Sequence, residues 1–217
     1  MSHFTIAILR RVLARPAALL LLGMLLLAGC GRNPVVITQA GMAPDAPGGT
    51  LLDPPKELAD FTLTSHTGAP LGLQDLRGRP ALVFFGYTNC PDVCPLTMAE
   101  WKKVKQDLGD AARDVAFVFI SVDPERDTPE VVARFVGGYD PSFIGLTGDE
   151  PDLQAIAKDF GVFFRAHDDH GTGKPPLVDH LSRSFLLDRK GRMHMLYSYG
   201  MSADTITADI RELLAQG

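Results

Sequence analysis

Apolar and polar positions between residues 61 and 214 follow two alternating rhythms. Residues 81–85 (Ala-Leu-Val-Phe-Phe) and 115–120 (Val-Ala-Phe-Val-Phe-Ile) are continuously apolar over the length of a strand, as suits central strands buried on both faces. Phe61-Thr62-Leu63-Thr64 alternates instead, and Ser65-His66-Thr67-Gly68 turns the chain into a second short strand. Phe143-Ile144-Gly145-Leu146 reads as another short strand. Between these runs the apolar period lengthens to that of a helix. Pro95 stands in the first turn of a segment reaching Leu108, with Thr97, Trp101, Val104 and Leu108 on one stripe. Thr128 caps and Pro129 opens a second helix carrying Val131, Val132, Phe135 and Val136, which Gly137-Gly138 stops. Residues 147–150 fit a capping box for a third, with Leu153, Ile156, Ala157 and Phe160, and Gly161 ends it.

Ser184-Phe185-Leu186-Leu187 and residues 192–199 predict a hairpin across Asp188-Arg189-Lys190-Gly191, and Ser202 starts a last amphipathic helix with Ile206, Ile210, Leu213 and Leu214. Met193, Met195, Tyr197 and Tyr199 form a period-two stripe that reads as core or edge packing. Strands alternating with helices, then a terminal hairpin and helix, predict an α/β fold. Its central mixed sheet is flanked by helices on both faces, with parallel crossovers in the first half and the antiparallel hairpin closing the edge.

The start of the chain follows neither rhythm. Arg10, Arg11 and Arg15 precede an apolar run over residues 17–27, and Leu27-Ala28-Gly29-Cys30 follows. The run is shorter than the roughly 20 residues a spanning helix needs, and small residues lead straight into a cysteine. Residues 1–29 therefore read as a bacterial lipoprotein signal, with Cys30 the lipidated residue. The alternative, a retained signal anchor, sends the rest of the chain across the membrane equally well. Either version places it on the periplasmic side of the cell envelope. Residues 30–57, rich in Pro, Gly, Ala and Asp, read as a flexible tether, and residues 58–217 as one domain. The whole chain of 217 residues carries a formal charge of −5, and loss of the three arginines leaves the exported part more acidic still. That argues against a nucleic-acid partner, whose phosphates require a basic face.

With Cys30 assigned to lipid, Cys90 and Cys94 are the remaining thiols. They sit in Gly86-Tyr87-Thr88-Asn89-Cys90-Pro91-Asp92-Val93-Cys94-Pro95, between a buried strand and a predicted helix, where open α/β sheets place their sites. A helix N-terminus lowers the pKa of a thiol, so a reactive thiolate near neutral pH is expected there. The spacing fits two ligands of one ion and fits a disulfide equally. A structural bridge is a poor explanation, because so small a loop restricts the unfolded chain little. A metal site needs further donors. His3 leaves with the signal, and His66 and His194 read as solvated. His167 and His170 lie in a polar Asp/Gly loop, and spacing alone leaves His180 open.

Three ordered motifs narrow the choice. The Gly86-to-Pro95 string, then Ser121-Val122-Asp123-Pro124-Glu125-Arg126-Asp127-Thr128-Pro129, then Val178-Asp179-His180, together resemble the Sco/SenC family of copper-binding proteins, from about Phe61 to the C-terminus. The resemblance implies a thioredoxin-like fold. It implies copper held by Cys90, Cys94 and His180, and a role in assembling the dinuclear copper site of cytochrome c oxidase subunit II, with a further periplasmic copper chaperone as donor. Two thiolates and an imidazole suit Cu(I), and the same set with a water suits Cu(II). Zinc accepts the same donors but lies below copper in intrinsic affinity. Asp123 and Asp179 are candidates to orient the His180 imidazole through its other nitrogen. The plainer reading has Asp123 and Asp127 capping turns and pairing with Arg126. Three functions follow in order: copper metallochaperone; thiol–disulfide oxidoreductase acting on the copper-site cysteines, which needs the pair but not His180; and peroxide-reducing enzyme, disfavoured because the motif lacks an isolated peroxidatic cysteine in an arginine-activated pocket.

Overall fold

A computed structural model describes residues 49–166, 178–180 and 183–216, and at 165–166 and 178–180 only the backbone. The signal, Cys30, the first part of the tether, His167 and His170 lie outside the described residues. Among the described residues, ten strands and five α-helices follow in the order β1 (Thr50–Lys56), β2 (Thr62–Ser65), β3 (Pro70–Gly72), α1 (Leu73–Leu76), β4 (Ala81–Gly86), α2 (Val93–Leu108), β5 (Ala116–Ser121), α3 (Pro129–Gly137), β6 (Ile144–Thr147), α4 (Glu150–Phe160), β7 (Phe164–Ala166), β8 (Val178–His180), β9 (Arg183–Leu187), β10 (Met193–Ser198) and α5 (Ala203–Ala215). A 3₁₀ turn, Gly109–Asp114, follows α2.

Eight strands form one sheet in the order β1-β10-β9-β4-β5-β6-β2-β3. β4, β5 and β6 are parallel, and the other pairings are antiparallel. Every residue of β4 and β5 is buried, as their unbroken apolar runs require. Successive side chains on β4 point to opposite faces. Phe84 meets Trp101 of α2 with ring centroids 6.2 Å apart, while Phe85 meets Phe160 of α4 at 5.0 Å. Phe119 of β5 faces Phe135 of α3 at 5.0 Å, and α2 packs against α5. Helices α2, α3 and α5 thus cover one face and α4 the other, the mixed α/β architecture expected.

The local signals hold at most helix ends. Thr128 Oγ1 accepts from Val131 N at 3.4 Å, and Ser202 Oγ accepts from Thr205 N at 3.3 Å. Gly161 closes α4 in the left-handed region, at φ 74°. α4 itself departs from the expected capping box, since its N-cap is Asp149, whose side chain makes no cap hydrogen bond. Along β10 the stripe of Met193, Met195 and Tyr197 is buried, but Tyr199, beyond the strand, is 49% exposed. His66, expected to be solvated, is half-buried, and its Nδ1 accepts from Gly145 N at 3.0 Å.

Two differences concern the edge of the sheet. The β9–β10 hairpin does not close it, because β1 pairs outside β10, with Thr50 opposite Leu196 and Lys56 opposite Met193. β1 also occupies residues assigned by composition to the tether. Pro54 and Pro55 signal an irregular segment, yet they are tolerated where the register of this edge strand shifts, between Leu51 and Lys56. Lys56 pairs with Asp159 at 3.4 Å, and Asp159 also accepts from Ala59 N at 2.8 Å, which ties the end of β1 to α4.

Candidate metal centre

Parallel strands bring their carboxyl ends together, so the loops that follow β4 and β5 emerge side by side. Gly86 ends β4 opposite Ser121 of β5, and Val122 N donates to Gly86 O at 2.8 Å. The loop after β4 turns at once, with Cys90 N donating to Tyr87 O at 3.2 Å, and α2 begins at Val93. Cys94 is therefore the second residue of the helix, and Cys90 lies just ahead of it. The sulfur of Cys90 accepts from Cys94 N at 3.5 Å. It supplies a partner to a first-turn amide that the N-cap residue, Asp92, leaves without a side-chain cap bond.

Both cysteines are thiols in this structure; Cys90 is half-buried and Cys94 has no exposed surface. A methyl group on Gly86 would stand 2.8 Å from Cys94 Sγ and 2.8 and 2.9 Å from the Phe84 and Phe119 rings. Glycine is thus what lets the sulfur sit against the end of β4. The expectation of a lowered thiol pKa fails at Cys94. Its hydrogen bond with Cys90 and its burial push the thiol up, the charge of Asp127 adds to this, and only a backbone bond from Tyr87 pulls the other way. The helix terminus is a local effect, and the bond with Cys90 together with burial outweighs it.

The second motif packs directly on this loop. Asp127 is fully buried, and its carboxylate accepts three hydrogen bonds: from Thr88 N at 2.9 Å, Thr88 Oγ1 at 2.6 Å and Ser121 Oγ at 2.5 Å. Asp123 is 6% exposed and forms an ion pair with Arg126. Burial raises its pKa, against the pull of the guanidinium. The Arg126 guanidinium carbon lies 5.9 Å from the centre of the Tyr87 ring. Asp123 thus makes the expected turn and the pairing with Arg126, while its expected contact with His180 falls on a side chain outside the described residues. Asp127 does something sequence reasoning missed, because its partner Thr88 stands 39 positions earlier.

His180 ends β8, which pairs with β7 in a separate antiparallel ribbon, its backbone opposite Phe164. Phe164 is buried, and its carbonyl accepts from Gln154 Nε2 of α4 at 3.4 Å. The side chains of Asp179 and His180 lie outside the described residues. Among the described residues no group of three His, Cys, Asp or Glu side chains is placed to hold a metal. Two of the three expected ligands are brought together, with soft sulfur donors suited to Cu(I) or to disulfide chemistry.

The profile of the family described as SCO1/SenC matches residues 50–215. The SCO2-like protein RP587 of Rickettsia prowazekii is 34% identical over 146 residues, 67% of this chain and 71% of that protein. Protein SenC of Rhodobacter capsulatus is 40% identical over 131 residues, 60% of this chain and 58% of that one, so the match spans little more than half of SenC. Among solved structures, apo Sco1 from Thermus thermophilus is 39% identical, with a TM-score of 0.69 over 76% of this chain and 95% of that one. ScoI of Bradyrhizobium japonicum, solved with copper bound, is 33% identical, with a TM-score of 0.66 over 72% of this chain and 98% of that one. The fold is the thioredoxin-like fold of those structures, and the cysteine loop, the loop after β5 and β8 all fall within the matched span: the chain belongs to the SCO1/SenC family.

Proposed function

We propose that this protein is a copper metallochaperone that holds one ion on Cys90, Cys94 and His180 and passes it to the dinuclear copper site of cytochrome c oxidase subunit II. The observation that carries the reading is the convergence of the two cysteines at the start of α2, with Cys94 N bonded to Cys90 Sγ. The donor chemistry fits the cargo: thiolates favour Cu(I), and imidazole suits both oxidation states. The copper-bound ScoI structures from Bradyrhizobium japonicum and Arabidopsis thaliana, 33% and 29% identical, support copper as the ion. Loading requires both thiols to give up their protons, and the hydrogen bond with Cys90 and the burial that raise the Cys94 thiol oppose that loss at Cys94. The half-buried sulfur of Cys90 is the one a partner's ligand reaches first. The N-terminal arginines, the apolar run and Cys30 support a lipid-anchored position on the periplasmic side of the envelope, and a periplasmic copper chaperone as donor completes the route.

A Cu(I) titration of the reduced chain against a competing chelator, beside His180→Ala, tests this. One tightly bound copper, weakened at least tenfold (about 1.4 kcal/mol) by the substitution, supports the three-ligand site. Binding no better than a simple dithiol, unchanged by His180→Ala, sinks it.

A second reading is favoured by the unequal burial of the two cysteines. A half-exposed Cys90 above a buried Cys94 is the arrangement of an attacking and a resolving thiol. Cys90 would attack a disulfide of the target's copper site, and Cys94 would displace the target sulfur. Two electrons and two protons pass to the target, leaving a Cys90–Cys94 disulfide.

A further inference from the structure

The reading of Cys90 and Cys94 as the working pair leaves unexplained a carboxylate with no exposed surface four residues beyond Asp123. Asp127 caps nothing on its own helix, since Thr128 performs that role for α3. Its two oxygens instead engage Thr88 of the loop after β4 and Ser121 at the end of β5. Oδ1 accepts from Thr88 Oγ1, and Oδ2 accepts from Thr88 N and from Ser121 Oγ. A carboxylate has acceptors only, and bonds to it are about twice as strong as those between neutral groups. Thr88 stands two residues before Cys90, and the Tyr87 carbonyl beside it receives the Cys90 amide at 3.2 Å.

We infer that Asp127 is a positioning residue for the cysteine pair: by gripping the backbone and hydroxyl of Thr88 it fixes the turn from which Cys90 reaches the first amides of α2. This rests on the proposed role of the pair and goes beyond it, because it assigns to the loop after β5 the task of setting the geometry of the loop after β4. Without that grip, the half-buried Thr88 N has lost its carboxylate partner, and the loop bearing Cys90 samples other arrangements in which the two sulfurs are no longer held together. The sulfurs must meet both to share an ion and to form a disulfide, so one positioning residue acts on both chemistries.

The test uses the full chain and two measurements: the equilibrium of the Cys90/Cys94 dithiol and disulfide with glutathione in the absence of metal, and Cu(I) affinity against a competing chelator. Thr88→Val removes the hydroxyl donor at nearly constant shape, Asp127→Asn removes the charge, and Thr88→Ser restores the hydroxyl. Thr88→Val and Asp127→Asn are expected to move the glutathione equilibrium by about three- to tenfold and to weaken copper by a similar factor. Thr88→Ser is expected to return both values to those of the unmodified chain. If Asp127→Asn does not fold, Thr88→Val decides. A folded Thr88→Val chain with both values unchanged overturns the inference, as does Thr88→Ser behaving like Thr88→Val. The glutathione equilibrium needs no copper, so it judges Asp127 even if the unmodified chain binds copper no better than a simple dithiol.

Discussion

The sulfur of Cys90 lies 3.5 Å from the backbone nitrogen of Cys94 and accepts its hydrogen bond, so the first cysteine sits on the N-terminus of the helix that buries the second. The two thiols are therefore unequal in access. Cys94 has no exposed surface and Cys90 is half-buried. Alkylation of the reduced, metal-free chain with iodoacetamide, followed by mass spectrometry, is expected to label Cys90 at least about tenfold faster than Cys94, since reaction follows thiolate access. Equal rates would show that the N-terminus of α2 opens readily.

Gly86 leaves no room for a side chain. A Cβ there meets Cys94 Sγ and two core rings, each under 3.0 Å. Gly86→Ala is expected to lower stability by about 1–3 kcal/mol in denaturant unfolding, as overpacked cores do, and to weaken copper binding by displacing Cys94. An unchanged midpoint would mean that the end of β4 yields at little cost.

Asp188 organises the β9–β10 turn. Its carboxylate accepts from Lys190 N and Arg192 N, both at 2.9 Å, and from Arg192 Nε at 2.8 Å. Burial works to raise its pKa, but these bonds and the guanidinium charge outweigh it and hold the group below the usual carboxylate range. A lowered folded pKa means that ionised Asp188 stabilises the fold. The contribution is fully present above the ordinary carboxylate pKa of 3.8 and fades as pH falls through the lower folded value. Asp188→Ala is expected to cost about 2 kcal/mol at pH 7. The gap from the unmodified chain should narrow steadily in acid, read from urea unfolding between pH 7 and pH 2. A gap that stays constant would assign the cost to packing alone.

β1 makes the segment before Leu58 part of the fold. A chain beginning at Leu58 loses the pairing with β10 and the bond from Lys56 to Asp159. Compared with a chain beginning at Gly49, it is expected to be less stable by about 2–4 kcal/mol, the sum of a few net hydrogen bonds and the apolar contact of Leu52. Equal stability would return this segment to the tether.

Much of this was legible residue by residue. The unbroken runs of β4 and β5, the stripe of Trp101, Val104 and Leu108 and the caps Thr128 and Ser202 are local signals, and each element formed where its signal stood. The motif cysteines are close in sequence, but Cys90 stands in the turn ahead of α2 and meets the helix through Cys94 N, an arrangement that spacing alone does not announce. Where local signals competed with packing they misled. Pro54 and Pro55 made β1 look like a tether, since nothing in residues 50–56 announces the free edge of β10 that accepts it. The helix terminus suggested a lowered thiol pKa at Cys94, since sequence shows the helix but neither the bond with Cys90 nor the burial that raise it.

Sequence alone determined the strand and helix periods, the α/β class, the cysteine motif and the kinship its three motifs announce. These are properties of short stretches, set by side-chain spacing and by the type of residue at each cap. Only the tertiary structure decided that β1 forms the edge, that Cys94 is sealed while Cys90 is not, and that Asp127 grips Thr88 across 39 positions. Those outcomes depend on which groups are excluded from water together, and exclusion from water is a property of the packed chain, which no local stretch carries.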